Sequence, residues 1–167
     1  ERDKALPTSV YGKSKLLADN KIIKQKNTFI IRLPLLFGPT HQDQIVSKLL
    51  KKINKKETVH ISTDVYSTPV YTPDLCKFVL NNCIRSQKIL KKKIIHFSSN
   101  SRLSIFEFIS LLLNKMKKKH LYKIIPVEDS FFKNNIKAKP KNLGLKSVHK
   151  KFIKPINYNS FKLVELI

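Results

Sequence analysis

Tyr11 and Lys15 lie in the segment Pro7-Thr-Ser-Val-Tyr11-Gly12-Lys13-Ser14-Lys15, at positions i and i+4. On a helix that spacing puts both side chains on one face, with Cβ atoms about 6 Å apart. An ammonium beside a phenol favours the phenolate, which prepares such a pair for proton transfer near neutral pH. The spacing alone is a weak signal, because a chain with five Tyr and 30 Lys is expected to contain a match by chance, and Tyr158 with Lys162 is a second one. Context separates the two. Tyr11 has Pro four residues before it, Gly directly after it and Ser before the Lys, and the helix leads into an apolar run closing in Leu33-Pro-Leu-Leu-Phe-Gly-Pro39. Tyr158 has none of these.

The elements that must position the pair follow from periodicity and punctuation. Residues 8 to 25 read as a helix, with Thr8 or Ser9 as N-cap after Pro7 and apolar positions at Val10, Leu16, Leu17 and Ile22 or Ile23. Thr28 to Phe37 is a nearly continuous apolar run, the pattern of a strand buried on both faces. Gln44 to Ile53 reads as a helix and Thr58 to Ser62 as a short strand. Pro73-Asp74 opens a helix to about Arg85, since Pro is tolerated in a first turn. Lys93 to Ser98 reads as a strand, and Ser104 caps an apolar helix to about Lys118 with Glu107 as its capping-box partner. A strand follows from Leu121 to about Val127, then an irregular stretch through Gly144 and a closing helix near 160–166. Alternating strands and helices predict an α/β protein with a largely parallel sheet. Arg32 interrupts the apolar strand and needs a partner, either strand-end carbonyls or a ligand.

Composition narrows the function classes. The 167 residues carry 34 Lys+Arg against 11 Asp+Glu, a net charge of +23, with 41% hydrophobic residues and ten Phe. That apolar share excludes a disordered basic tail. The charge first suggests a nucleic-acid partner, yet 30 of the 34 cations are Lys and only Arg2, Arg32, Arg85 and Arg102 carry the planar fork that reads bases and grips phosphate. Nucleic-acid binding is therefore not expected, and the lysines read as a solvated surface. No apolar run approaches the roughly 18 residues of a membrane span, and no signal-peptide core follows the first residues, so a cytoplasmic protein without a membrane partner is expected. Cys76 and Cys83 on one helix would sit about 10 Å apart, beyond disulfide reach, and read as reduced core thiols. The five His are scattered without ligand spacing, so no metal site is expected.

Taken in order, Tyr11-Gly-Lys-Ser-Lys15, Ile31-Arg-Leu-Pro-Leu-Leu-Phe-Gly38, Ser67-Thr-Pro-Val-Tyr-Thr-Pro-Asp-Leu75 and His96-Phe-Ser-Ser-Asn-Ser-Arg-Leu-Ser104 resemble the second half of an extended short-chain dehydrogenase/reductase. Within that superfamily the chain is most similar to the dTDP-4-dehydrorhamnose reductase group, which also includes the regulatory β subunit of methionine adenosyltransferase. Lys139-Pro-Lys-Asn-Leu-Gly-Leu145 resembles that group's Arg-Pro-x-x-x-x-Leu element, with Lys in place of Arg. The resemblance covers about residues 5 to 150.

It implies the C-terminal part of a Rossmann-like doubly wound sheet plus a small α/β substrate-binding lobe. The second half of the dinucleotide-binding domain would occupy 1–60, and the substrate lobe, with interleaved Rossmann elements, 61–167. By the same resemblance Tyr11 is the general acid that protonates a sugar keto oxygen as hydride arrives. Lys15 binds the nicotinamide ribose and tunes the Tyr; Leu33, Pro34 and Leu35 line the nicotinamide, and Pro69 and Tyr71 approach the nucleotide-sugar substrate. The cofactor is NAD or NADP, with NADPH favoured, and a homodimer is one assembly the resemblance allows.

The chain departs from the family pattern in several places. The Gly-rich phosphate turn is missing, since Gly12, Gly38 and Gly144 form no such run, and the family's catalytic Ser or Thr would lie before residue 1. Both are expected in a missing N-terminal half, so this chain by itself is expected to be inactive and the full-length protein an oxidoreductase. Leu35 stands where the reductases often have an aromatic residue that contacts substrate, and Asp64-Val65 where they have an Asp-Gln pair before the later Pro. A sugar-nucleotide epimerase or dehydratase, or a non-catalytic regulatory subunit, are the alternatives.

Overall fold

A computed structural model describes residues 1–38, 44–85, 94–115, 123–132 and 140–150. Helix α1 spans Val10–Ile22, and strands β1 and β2 span Ile30–Arg32 and Leu36–Phe37. Helix α2 (Ile45–Asn54) leads into β3 (Thr58–Ser62), β4 (Tyr66–Ser67) and β5 (Val70–Tyr71). Helix α3 (Thr72–Phe78) widens into a π-helical stretch, Val79–Arg85. Strands β6 (Ile94–His96) and β7 (Leu103–Ser104), helix α4 (Ile105–Lys115), strand β8 (Lys123–Val127) and a 3₁₀ turn at Asp129–Phe131 complete the described order. The predicted closing helix near 160–166, the Tyr158–Lys162 pair and Lys139 lie outside the described residues.

Among the described residues, three of the four strand pairs are parallel: β1 with β6, β2 with β5, and β3 with β8, while β4 and β7 run antiparallel. Parallel neighbours need crossovers, and helices supply them, which makes the protein α/β as expected. The single strand predicted over 28–37 is two. Pro34 has no N–H to give a ladder, and across Leu33–Leu35 the chain leaves β6 for β5. The handover is visible in its hydrogen bonds: Phe97 N donates to Arg32 O at 3.1 Å, and Val70 N donates to Leu35 O at 2.8 Å.

Two apolar clusters result. One joins Val46, Leu50 and Ile53 of α2, Val59 and Ile61 of β3, and Phe108, Ile109, Leu112 and Leu113 of α4 around Phe37 and Tyr71. The other joins Ile95, Phe97, Val70, Phe78 and Cys83 beneath β1. Positions 46, 50 and 53 are one stripe of α2, with the lysines on the opposite side. Phe37 carries the first cluster, its ring 4.9 Å from Phe108 in an edge contact and 5.5 Å from Tyr71. Gly38 lets β2 close on α3: an added Cβ would meet Thr72 Oγ1 at 2.7 Å, the hydroxyl that donates to Phe37 O at 2.9 Å. Cys83 is buried, which pushes its thiol up, but Cys76 is exposed and is not the core thiol expected.

The capping box at α4 forms as read: Glu107 N donates to Ser104 Oγ at 3.1 Å and Ser104 N donates to Glu107 Oε2 at 2.7 Å. Ser104→Ala removes one side of it and should cost about 1 kcal/mol, typical of a lost N-cap. The loss is expected to lower Tm by about 2–4 °C for a chain of this size, read by calorimetry.

Asp64, in the turn after β3, gathers three donors: Lys141 Nζ at 2.7 Å, Asp129 N at 2.8 Å and Ser62 Oγ at 3.0 Å. The Lys141 bond first, then the Asp129 N–H, hold its carboxyl at about 2, below the usual range of an aspartate. A carboxylate depressed in the folded state stabilises it above the unfolded value and loses that contribution as pH falls through the folded one. Acid titration from pH 5 to 2 should therefore release the Lys141 segment, and Asp64→Asn should flatten that dependence, as followed by amide exchange at Tyr66, whose N–H donates to Lys141 O.

Candidate active site

Helix α1 is built to present rather than to pack. Ser9 caps it by accepting from Gly12 N at 3.0 Å, and Thr28 Oγ1 closes its other end on Ile22 O at 2.9 Å. Gly12 is needed because a Cβ there would meet Pro7 Cβ at 2.8 Å, so the Pro-x-x-x-Tyr-Gly context is steric. No residue of α1 is buried. Of the apolar positions expected on α1, Val10, Leu17 and Ile22 stay exposed, at 85%, 63% and 41%, and Leu16 and Ile23 are half-buried.

What ties α1 to the sheet is polar. Arg32, at the end of β1, donates to Asp19 Oδ2 from Nη2 at 3.0 Å and from Nε at 3.1 Å, and both side chains are about three-quarters buried. Among the described residues Arg32 pairs with a carboxylate on α1. Asp19 was not singled out in the sequence, although a signal was present. Tyr11, Lys15 and Asp19 fall at i, i+4 and i+8, one slowly turning stripe of the helix. Fixing Asp19 on β1 sets the rotation of the other two.

Tyr11 is 72% exposed, and the Lys15 ammonium lies over its ring, 5.3 Å from the centroid, within cation–π range. Ser14 Oγ donates to Tyr11 O at 2.8 Å and stiffens the turn between them. Leu33, Pro34 and Leu35 form the link from β1 to β2; Leu33 is 36% exposed and the other two are half-buried. Strand β1 carries both this link and Arg32, and its one partner among the described residues is β6. Pro69 and Tyr71 are placed differently. Both are buried, Tyr71 against Phe37, so neither side chain stands at the surface beside Tyr11. Among the described residues no group of His, Cys, Asp and Glu could hold a metal ion, and no helix is long and apolar enough to cross a membrane.

If Arg32 orients α1, Arg32→Lys keeps the charge but loses the planar fork. The partly exposed pair should lose about 0.5–1 kcal/mol, and the amide signals of Tyr11 and Lys15 should shift along with that of Asp19. Signals of Tyr11 and Lys15 that stay in place would detach α1 from β1.

Known proteins match this arrangement. Of curated relatives, subunit beta of methionine adenosyltransferase 2 from Danio rerio is 25% identical over 114 residues, covering 64% of this chain and 35% of that protein. The spore coat polysaccharide biosynthesis protein SpsK of Bacillus subtilis is 28% identical over 118 residues, covering 69% and 39%. The chain thus spans less than half the length of either. Among solved structures, dTDP-4-dehydrorhamnose reductase of Bacillus anthracis, in complex with NADP, superposes with a TM-score of 0.76 at 20% identity, over 99% of this chain and 56% of the other. The Yersinia enterocolitica reductase gives 0.76 at 23% identity, over 99% and 57%. At these identities the likeness is one of fold, a Rossmann-like α/β arrangement. The sequence pattern of the RmlD substrate binding domain matches residues 1–163, and the chain belongs to that family.

Proposed function

We propose that this chain is the C-terminal portion of an NAD(P)H-dependent sugar-nucleotide reductase, in which Tyr11 and Lys15 work on a 4-keto sugar nucleotide. The observation that carries the reading is the exposed Tyr11–Lys15 stripe, oriented by Asp19 on Arg32, the residue before the exposed Leu33. The residues fit one end of a dinucleotide. Lys15 has no carboxylate partner among the described residues and is free for ribose hydroxyls, and Leu33 to Leu35 offer a flat apolar edge to a pyridine ring. They do not fit the pyrophosphate end: none of the three glycines has positive φ, and they form no Gly-rich run. In this proposal an N-terminal half supplies that turn and pairs with the free edge of β1.

The nicotinamide, when bound, supplies hydride to the carbonyl carbon. Tyr11 gives its phenolic proton to the carbonyl oxygen, so the C=O becomes CH–OH and the phenolate is left to be reprotonated. Lys15 stabilises that phenolate. Pro69 and Tyr71 enter as the packed wall beneath the substrate side. The proposal also carries the division into 1–60 and 61–167, a preference for NADPH, a homodimer and a cytoplasmic location. The B. anthracis reductase bound to NADP supports the cofactor class.

In the full-length protein, Tyr11→Phe should lower turnover of a dTDP-4-keto sugar by about 10²–10⁴-fold, the usual worth of a positioned acid, while NADPH binding by fluorescence stays intact. Unchanged turnover would sink the role. Product analysis separates a reductase from an epimerase, a class also represented among similar folds by UDP-glucuronic acid 4-epimerase of Bacillus cereus, TM-score 0.70 at 17% identity. A second reading, a non-catalytic regulatory subunit, is favoured by the match to methionine adenosyltransferase 2 subunit beta; NADPH oxidation above background by the full-length protein would count against it.

A further inference from the structure

Glu1 is buried more deeply than its place ahead of α1 would suggest. Its side chain is 4% exposed, and its two oxygens accept from two distant parts of the chain. Oε1 takes the His96 N–H at 2.5 Å and the Ser147 hydroxyl at 3.0 Å. Oε2 takes the Val148 N–H at 2.7 Å and lies 4.0 Å from His149 Nε2. Burial by itself raises this carboxyl, but the N–H bonds from His96 and Val148 outweigh it and hold Glu1 below the ordinary glutamate value. A carboxylate taken out of water persists only where donors replace the water, so the position of Glu1 is closely determined.

The donors stand at the strand ends that also hold α1. His96 closes β6 and is the register partner of Arg32, which grips Asp19. One rung at the carboxyl ends of β1 and β6 therefore holds both Glu1, ahead of α1, and Asp19, toward its far end. Asp19 sets the rotation of the helix, but it lies about 12 Å along the axis from Tyr11, and one contact at that distance leaves the amino end free to swing. The leader removes that freedom. Pro7 lies against the turn that carries Tyr11, since a Cβ on Gly12 would meet Pro7 Cβ at 2.8 Å, and Ser9 caps the same turn by accepting from Gly12 N. Arg2, Asp3 and Lys4 are exposed, which leaves Glu1 as the polar anchor of the leader among the described residues.

We propose that Glu1 is a positioning residue for Tyr11: its carboxylate fastens the leader of α1 to the β1–β6 rung and to residues 147–148, and so sets where the Tyr11 hydroxyl stands. Glu1 acts through Pro7 and Gly12 and not on a substrate. The catalytic consequence rests on the reading of Tyr11 as the proton donor, whereas the placement of α1 does not depend on it.

The chain has three glycines, so amide spectra of the 167-residue chain labelled with ¹⁵N-glycine isolate the effect on α1. Glu1→Gln puts an NH₂ where an oxygen accepted, and donor then faces donor. The Gly12 signal is expected to move while that of Gly38 stays. A Gly12 signal that stays in place overturns the inference, because the clasp then holds only its own neighbours. Ser147→Ala, which removes one donor and keeps the carboxylate, should move Gly12 by a smaller amount and decides the matter if Glu1→Gln does not fold. In the full-length protein Glu1→Gln should lower kcat about 10-fold or more, the scale of a small misplacement of a reacting group, with KM for the keto sugar nucleotide and the affinity for NADPH as in the parent. Ser104→Ala, which loses stability away from α1, should keep the parent kcat; an equal fall in both variants marks lost stability and overturns the role. An unchanged kcat in Glu1→Gln beside an inactive Tyr11→Phe also overturns it and leaves the reductase reading standing. If Tyr11→Phe keeps full turnover, the reductase reading falls and the Gly12 signal alone decides whether Glu1 places α1.

Discussion

The Arg32–Asp19 pair is the contact on which the placement of the Tyr11 face depends. Helix α1 has no fully buried residue, so the hydrophobic effect, which orients α2 and α4 without ambiguity, has little hold on its rotation. A fork of two N–H donors on one carboxylate oxygen supplies the orientation instead. Because Asp19 follows Lys15 and Tyr11 at four-residue steps, the same contact aims all three. Val10, Leu17 and Ile22 stay exposed on α1, while Leu16 and Ile23 are half-buried.

The rest of the molecule is organised to keep the ends of β1 and β6 in place. The cluster around Ile95 and Phe97 sits beneath them, and the larger cluster around Phe37 and Phe108 anchors the strands reached once the chain has crossed Pro34. Phe37 and Tyr71, paired across β2 and β5, belong to the larger cluster, while their neighbours Leu36 and Val70 pack in the smaller one. The β2–β5 ladder is therefore the seam between the two. Asp64 performs a corresponding service at the far end, joining the turn after β3, the end of β8 and Lys141 through one carboxylate.

Much of this was legible in the chain before any contact was known. The bounds of β3, the stripe of α2, the Ser104–Glu107 box and the α/β alternation all follow from neighbours within a turn or two. The Tyr11–Lys15 spacing and the ordered segments after it sufficed to identify the family. Other features were not legible. Arg32 required a partner but did not name one, since eleven carboxylates were available and only the crossing of α1 over β1 selects Asp19. The run over 28–37 looked like one strand because both halves are apolar; which strand each half pairs with depends on residues 70 and 94, far along the chain. Tyr71, an expected substrate contact, is drawn into the core by Phe37.

The sequence by itself determined the class of fold, the helix that carries the Tyr–Lys pair and the scarcity of phosphate-binding glycines, because periodicity, capping and spacing are local. Tertiary structure alone decided how that helix is turned, where the long strand breaks, and that His96 and Val148 meet at the Glu1 carboxylate. Those outcomes depend on contacts between residues tens of positions apart, and no local pattern encodes which distant groups meet when the loops between them close.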